Sequence, residues 1–263
     1  MGVRDNGVIF VPQNVSHWQS GDRPSPLDAN YYWRDIMNLS KALIMAGLLV
    51  STTAVADYKG KGKSKMHTYA VTVTNITHGQ SFTPVLAASH TSDVSFFELG
   101  SAPSDDLADL AEGGATGGLE MTLNMMPDYV LETTTSGTTA DGNPLIDPGE
   151  SVTVYITGDK NYKYLSLAGM LLPTNDSFVA VNSMPLPKKS SQGLALAYDA
   201  GSEMNDELCV NIPGPDCMGT PFSAGLAEGF VHISRGISGE GDLPASAHDW
   251  RNPVAHVSIT RMD

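Results

Sequence analysis

The sequence contains few cysteines, few basic residues and, at 42–50, an apolar run too short to span a membrane as a helix. Its 263 residues include two cysteines and 15 lysines and arginines, against 29 aspartates and glutamates. The net charge of -14 disfavours nucleic acid and anionic membranes as partners, and it favours cations or basic surfaces. The apolar run at 42–50 is far shorter than the roughly 20 residues that a membrane-spanning helix needs.

Several motifs of catalysis and metal binding are missing as well. No Gly-x-Ser-x-Gly segment marks a hydrolase nucleophile, and no histidine pair has the spacing of a zinc protease. Counted from Asp199, the sixth position is Met204 and the twelfth is Val210, where an EF-hand loop needs Gly and Glu. We therefore interpret the histidines as hydrogen-bonded structural residues.

The N-terminal part has the pattern of a secretory signal peptide. From Met37 onward the chain has Lys41, an apolar run at Ala42–Val50 and the small-residue sequence Ala-Val-Ala at 54–56. We expect cleavage after Ala56 and a secreted or periplasmic mature chain.

Residues 1–36 do not fit a signal peptide that acts from the extreme N-terminus. We predict that they are a mis-assigned upstream extension and that 37–56 is the signal peptide. The alternative is a genuine extension, with the run at 42–50 buried as a core helix. Removing residues 1–56 deletes four basic and four acidic residues, so the net charge stays at -14. We expect a flexible Lys/Gly tail at 57–66 and a single domain over 67–263.

The two cysteines, Cys209 and Cys217, are close in sequence and flank a turn rich in Pro and Gly. In an exported chain, such an even and close pair indicates a disulfide. A catalytic or metal-binding thiolate is the alternative, although neither cysteine has the two-residue spacing of a zinc or redox motif.

Alternation of apolar and polar residues after residue 66 predicts an all-β, antiparallel sandwich. Strands are expected at 69–73, 82–88, 152–156, 163–172, 178–181, 194–198, 229–234 and 254–260. One short helix is expected after Ser104, which can cap it, and it should end at Gly113-Gly114. The segments 115–118 and 133–143 are rich in Gly, Ser and Thr, which predicts loops.

Two acidic turns follow strand-like runs, at Pro173–Ser177 and Tyr198–Glu207. They carry Asp176, Asp199 and Glu203. Carboxylates and backbone carbonyls in flexible turns are the ligands that calcium prefers. The same composition is also typical of an ordinary solvated turn, so composition alone leaves both interpretations open.

Three blocks, Val85–Gly114, Leu165–Met184 and Leu196–Asp206, carry a family resemblance. They contain Ser-His-Thr-Ser-Asp, Pro-Thr-Asn-Asp-Ser and Asp-Ala-Gly-Ser-Glu. In this order they resemble the spondin N-terminal domain of F-spondin and mindin, and the later segments look like its exported bacterial branch. The resemblance implies a sandwich similar to the calcium-dependent membrane-binding domains, with a Ca²⁺ ion in loops at one end.

The calcium ligands that the resemblance implies map onto Asp176, Asp199 and Glu203, the last where the family often has Asp. We therefore expect an exported, non-enzymatic recognition or adhesion module that binds Ca²⁺ and an extracellular protein or polysaccharide. One alternative is an exported hydrolase that uses Ser89, His90 or His248. Another is a cell-surface structural protein that assembles through its sandwich edges.

Overall fold

The computed structural model describes residues 9–10, 64–223 and 225–263 of the chain. The predictions for the signal peptide, the cleavage after Ala56 and the tail up to residue 63 lie outside the described residues. Within residues 1–36, the strand β1 (Ile9–Phe10) pairs in parallel with β5 (Val94–Ser95). The predictions about the N-terminal region therefore stay predictions.

The described residues form mostly antiparallel strands with three helices. The remaining strands are β2 (His67–Asn75), β3 (Ser81–Phe82), β4 (Leu86–His90), β6 (Val130–Thr135), β7 (Ser151–Gly158), β8 (Tyr164–Leu172), β9 (Ser177–Pro185), β10 (Ser190–Asp199), β11 (His232–Ile233) and β12 (Ala255–Arg261). The helices are α1 (Asp105–Gly113), α2 (Gly117–Asn124) and α3 (Ala245–His248). The prediction of an all-β, antiparallel fold is confirmed.

Two sheets share the long strand β10. Its first half, Ser190–Ala195, pairs with β12, and its second half, Leu196–Asp199, pairs with β9. The strand order is β7-β2-β12-β10 on one side of this crossing and β10-β9-β8-β4-β6 on the other. The two end strands approach each other, and the Thr157 N–H of β7 donates to the Glu132 carboxylate of β6. The sandwich is therefore nearly closed, and β10 links its sheets.

Burial differs between the two sheets because only one of them is covered on both faces. In β7 buried and exposed residues alternate, as the sequence pattern predicts for a sheet with one solvated face. In β8 every residue after Tyr164 is buried. Leu165 and Leu167 of β8 face the sandwich core, whereas Ala168 belongs to a second core with helix residues Leu107 and Leu119. Helices on the outer face therefore explain the continuous apolar run of this strand.

Helix α1 begins as predicted. The Ser104 hydroxyl accepts a hydrogen bond from Leu107 N at 3.2 Å, and Gly114 ends the helix with φ 69°. The prediction of a loop at 115–118 was wrong in part, since α2 starts at Gly117. Burial of the α2 residues Leu119 and Leu123 stabilises this helix despite its two N-terminal glycines. The loop predicted at 133–143 was also too long, because β6 continues to residue 135 and pairs with β4.

The strand predicted at 82–88 is two strands that both pair with β8. Phe82 pairs with Leu171, and Leu86 pairs with Ala168. Pro84 lies between them and has no N–H to continue a ladder, which accounts for the break.

Candidate metal centre

The three predicted ligands lie in neighbouring turns at one end of the sandwich, although their side-chain oxygens do not all lie within 4.8 Å of one another. Asp176 lies in the turn between β8 and β9, Asp199 is the last residue of β10, and Glu203 follows in the next turn. Ser177 pairs with Asp199 across β9 and β10, and Ala200 N donates to the Asp176 carbonyl at 3.1 Å. Asp176, Asp199 and Glu203 are 0%, 2% and 1% exposed. We call the segments 173–176 and 199–207 the acidic loop end.

One oxygen of Asp176 organises the neighbouring turn, and the other has no partner. Oδ2 accepts hydrogen bonds from the backbone N–H groups of Ser202 at 2.8 Å and Glu203 at 3.0 Å. Oδ1 is buried and has no hydrogen-bond partner among the described residues. A buried acceptor in this situation is costly, and either a proton or a ligand at Oδ1 would remove that cost.

Asp199 holds the second turn. Its Oδ1 accepts from Gly201 N and its Oδ2 from Asn205 Nδ2, each at 2.8 Å. Gly201 has φ +65°, and a Cβ there would lie 2.3 Å from the Phe230 carbonyl oxygen. Only glycine meets both conditions, and its small size lets the segment before β11 approach Asp199.

Glu203 connects the acidic loop end to a later segment. Its Oε1 accepts a short hydrogen bond from Ser223 N. This bond links Ser223 to the turn that contains Glu203. Glu203 therefore contacts Asp176 through its backbone N–H, while its side-chain Oε1 binds Ser223.

The electrostatics of the two aspartates favour a cation or a proton. Burial, as the largest cause, and the Asp199 charge raise the pKa of Asp176 to about 8, against the lowering effect of the bonds from Glu203 and Ser202. Burial also raises the pKa of Asp199, although the neighbouring His232 and Asn205 oppose this. A divalent cation would remove the cost of ionising both groups. Oxygen donors in turns, with one buried acceptor unsatisfied, fit the ligand chemistry of Ca²⁺.

Glu207 is a buried carboxylate that the sequence analysis passed over. It accepts from Ser238 N at 2.6 Å, Ser238 Oγ at 2.8 Å, Gly239 N at 2.8 Å and Glu240 N at 3.2 Å. Burial alone would raise the pKa of Glu207, but the bonds from Ser238 and Gly239 outweigh it, and the pKa lies below its usual range. Both of its oxygens accept hydrogen bonds, so Glu207 is a structural clamp on the segment 238–240.

Glu112 of α1 is a second buried acid that was missed. Its charge contributes to the raised pKa of Asp176, after burial and Asp199. Helical periodicity does not mark it, because position 112 lies on the opposite side of α1 from Leu107 and Leu110. The sequence signal was present only as an acid within the predicted helix.

Comparison with known families gives a match over most of the sandwich. A family model described as Spondin_N matches residues 65–203, which is more than half of the chain. The chain belongs to the Spondin_N family. The match spans β2 to β10, includes α1 and α2, and ends at Glu203, so it contains all three predicted ligands. No curated protein matches the chain.

Spondin_N domains are extracellular modules of a non-catalytic kind. No helix of the described residues is long and apolar enough to cross a membrane. Cys209 and Cys217 form a disulfide, with 4.7 Å between their Cα atoms, as is typical of proteins in oxidising compartments. The bond closes a short loop directly after the acidic loop end.

The residues of the hydrolase alternative are not joined to one another by any described hydrogen bond. His90 Nε2 lies 2.8 Å from Ser166 Oγ, and its Nδ1 lies 2.7 Å from the Thr91 carbonyl. Burial lowers the pKa of His90. Ser89 is the preceding residue of β4, so its side chain points to the other face of the sheet. His248 contacts the Gly79 carbonyl at 3.3 Å.

Proposed function

We propose that this chain is an exported, non-enzymatic recognition or adhesion module in which Ca²⁺ orders the loops at one end of the sandwich. Asp176, Asp199 and Glu203 would hold the ion. The observation that carries this proposal is Asp176 Oδ1, a buried acceptor without a hydrogen-bond partner among the described residues. Its turn accepts a hydrogen bond from Glu203 N and adjoins Ser177, which pairs with Asp199.

The role proposed for calcium is structural. Three buried carboxylates in neighbouring turns repel one another when ionised, and a cation offsets that repulsion. If the affinity is that of extracellular calcium modules, with a Kd of about 0.1 mM, then about 1 mM Ca²⁺ stabilises the fold by roughly 1.4 kcal/mol. Calcium would thus fix the position of the turns after Asp199 without taking part in a reaction.

The recognition role rests on the family and on the side chains around the acidic loop end. Met204, Phe222 and Phe230 are exposed, although large apolar side chains are usually buried. Met204 follows Glu203 directly, and Phe222 precedes Ser223, which Glu203 binds. Calcium would therefore order the backbone that presents these side chains. Exposed aromatic and Met side chains are typical of recognition surfaces, and we propose an extracellular protein or polysaccharide as the partner.

A calorimetric melt of the full chain tests the calcium proposal. The protein is first made metal-free with a chelator and then melted with and without 1 mM Ca²⁺. We expect Ca²⁺ to raise the Tm by about 4 °C, which corresponds to the stabilisation estimated above.

The matched variants for this melt are Asp176→Asn and Asp216→Asn. Asp176→Asn should lose the calcium response, whereas Asp216 is exposed and its variant should keep it. An unchanged Tm in wild-type protein that was shown to be metal-free would contradict the proposal.

A further inference from the structure

Strand β11 brings two further ligand-type side chains to Asp199. His232 pairs with Asp199 across β10 and β11, so the two side chains lie on the same face of the sheet. One ligand-type atom each from Asp199, Glu228 and His232 lies within 4.8 Å of the others. Glu228 and His232 lie outside the part of the chain that the Spondin_N match covers.

The hydrogen bond of His232 Nδ1 determines which of the two ring nitrogens carries a lone pair. Nδ1 lies 3.0 Å from the Ile233 carbonyl oxygen, which can only accept, so Nδ1 carries a proton. In the neutral ring, Nε2 then has the lone pair. A backbone carbonyl that fixes the tautomer in this way is the usual outer partner of a metal-binding histidine.

The inner nitrogen of His232 faces another acceptor. Nε2 is buried, lies 3.4 Å from Asp199 Oδ1 and makes no hydrogen bond to the described residues. A lone pair and a carboxylate oxygen at this distance need either a proton or a cation between them. The Asn205 amide completes the arrangement, since its Nδ2 lies 2.8 Å from Asp199 Oδ2 and 3.3 Å from Glu228 Oε1.

A second buried atom, in the turn beside Asp199, also lacks a partner. Asp176 Oδ1 is fully buried and makes no hydrogen bond to the described residues, and the charge of Asp199 acts on Asp176. The region around Asp199 therefore combines a buried imidazole nitrogen and a buried carboxylate oxygen, both unsatisfied.

We propose that Asp199, Glu228 and His232 form a site for a borderline divalent cation of the Zn²⁺ class. One imidazole nitrogen and two carboxylates suit Zn²⁺, whereas Ca²⁺ takes oxygen ligands. Three protein ligands leave a position for water or for a group of a bound partner. The site shares Asp199 with the proposed calcium ligands, but it also needs Glu228 and His232, which the calcium proposal does not use.

Titration calorimetry of the full, untagged and metal-free chain with Zn²⁺ tests this proposal. We expect one site whose Zn²⁺ affinity falls at least about tenfold in His232→Ala and in Glu228→Gln. Glu228 is exposed, so its variant keeps the proposal testable if His232→Ala folds poorly. His78→Ala is the matched control, because His78 is exposed and lies in the turn after β2, and it should bind Zn²⁺ like the wild type.

Calcium titration of the same variants separates the two proposals. His232→Ala and Glu228→Gln should keep the calcium response of the wild type, since neither residue belongs to the proposed calcium set. Absence of Zn²⁺ binding by the wild type, or Zn²⁺ binding that both variants leave unchanged, would overturn the zinc site. Absence of a calcium response alone would overturn only the function proposed above.

Discussion

Asp176 and Glu207 are both buried acids of this loop region, yet they differ in their hydrogen bonds and in the direction of their pKa shifts. Glu207 accepts hydrogen bonds at both oxygens, and its pKa lies below the usual range because these bonds outweigh its burial. Asp176 accepts backbone bonds at one oxygen only, and burial raises its pKa to about 8. The donors at the second oxygen of Glu207, together with the deeper burial of Asp176, separate the structural clamp from the candidate ligand.

Because their pKa shifts are opposite, the two residues should change stability in opposite directions as the pH changes. The folded-state pKa of Asp176 is raised from 3.8 to about 8, so the metal-free folded chain binds more protons than the unfolded chain in this range. Stability should therefore fall as the pH rises from about 4 to about 8, by more than any other change proposed here. Urea denaturation of metal-free protein at several pH values measures this. Asp176→Asn should flatten the fall, and an equally steep fall in the variant would contradict the assignment.

Glu207 should behave in the reverse sense. Its folded-state pKa is lowered, so its contribution is present above the pKa of the unfolded chain and is lost as the pH falls through the folded-state pKa. At neutral pH, Glu207→Ala should reduce the free energy of unfolding by about 3 kcal/mol, because it leaves the donors of residues 238–240 without their acceptor.

The Glu207→Ala effect should be the same with Ca²⁺ and with chelator, since Glu207 has no role as a ligand in our account. Glu240→Ala is the matched control, because the Glu240 side chain is exposed in the same segment, and its effect should be within about 0.5 kcal/mol. A Glu207→Ala loss that appears only in the presence of Ca²⁺ would remove the distinction between clamp and ligand.

The disulfide offers a smaller perturbation at the end of the same region. Replacing Cys209 and Cys217 together with serine should lower the free energy of unfolding by about 2.5 kcal/mol, as expected for the loss of a short closed loop. Because this loop begins after Glu207, the Tm increase caused by Ca²⁺ should persist in the variant. Loss of the calcium response would show that the loop, and not only the carboxylates, determines the site.

The sandwich could be predicted from the sequence because its strands carry local patterns. Alternation placed β2, β7 and β12 within a few residues of their bounds, and the long apolar run predicted β8. Helix α2 could not be predicted, since its two glycines favour a turn and only tertiary burial of Leu119 and Leu123 overrides them.

In the candidate site, too, only the residues with a local sequence pattern could be predicted. Asp176, Asp199 and Glu203 lie in turns that the sequence marks, and the family resemblance assigned them a shared role. Glu207 looked the same as these acids, because its donors at 238–240 are far away in sequence. Position in the chain likewise gave no sign that His232 is paired with Asp199, since strand register between β10 and β11 depends on the folded chain.

Proton release during calcium binding tests the central claim about Asp176 most directly. If its pKa is about 8 in the metal-free protein, Asp176 carries a proton at pH 7 and must release it when Ca²⁺ binds. Titration calorimetry in buffers of different ionisation enthalpy counts the protons released. We expect a release approaching one proton (~1) per Ca²⁺ at pH 7, which falls towards zero at about pH 9. Calcium binding with no proton release at pH 7, or with the same release at both pH values, would contradict the account.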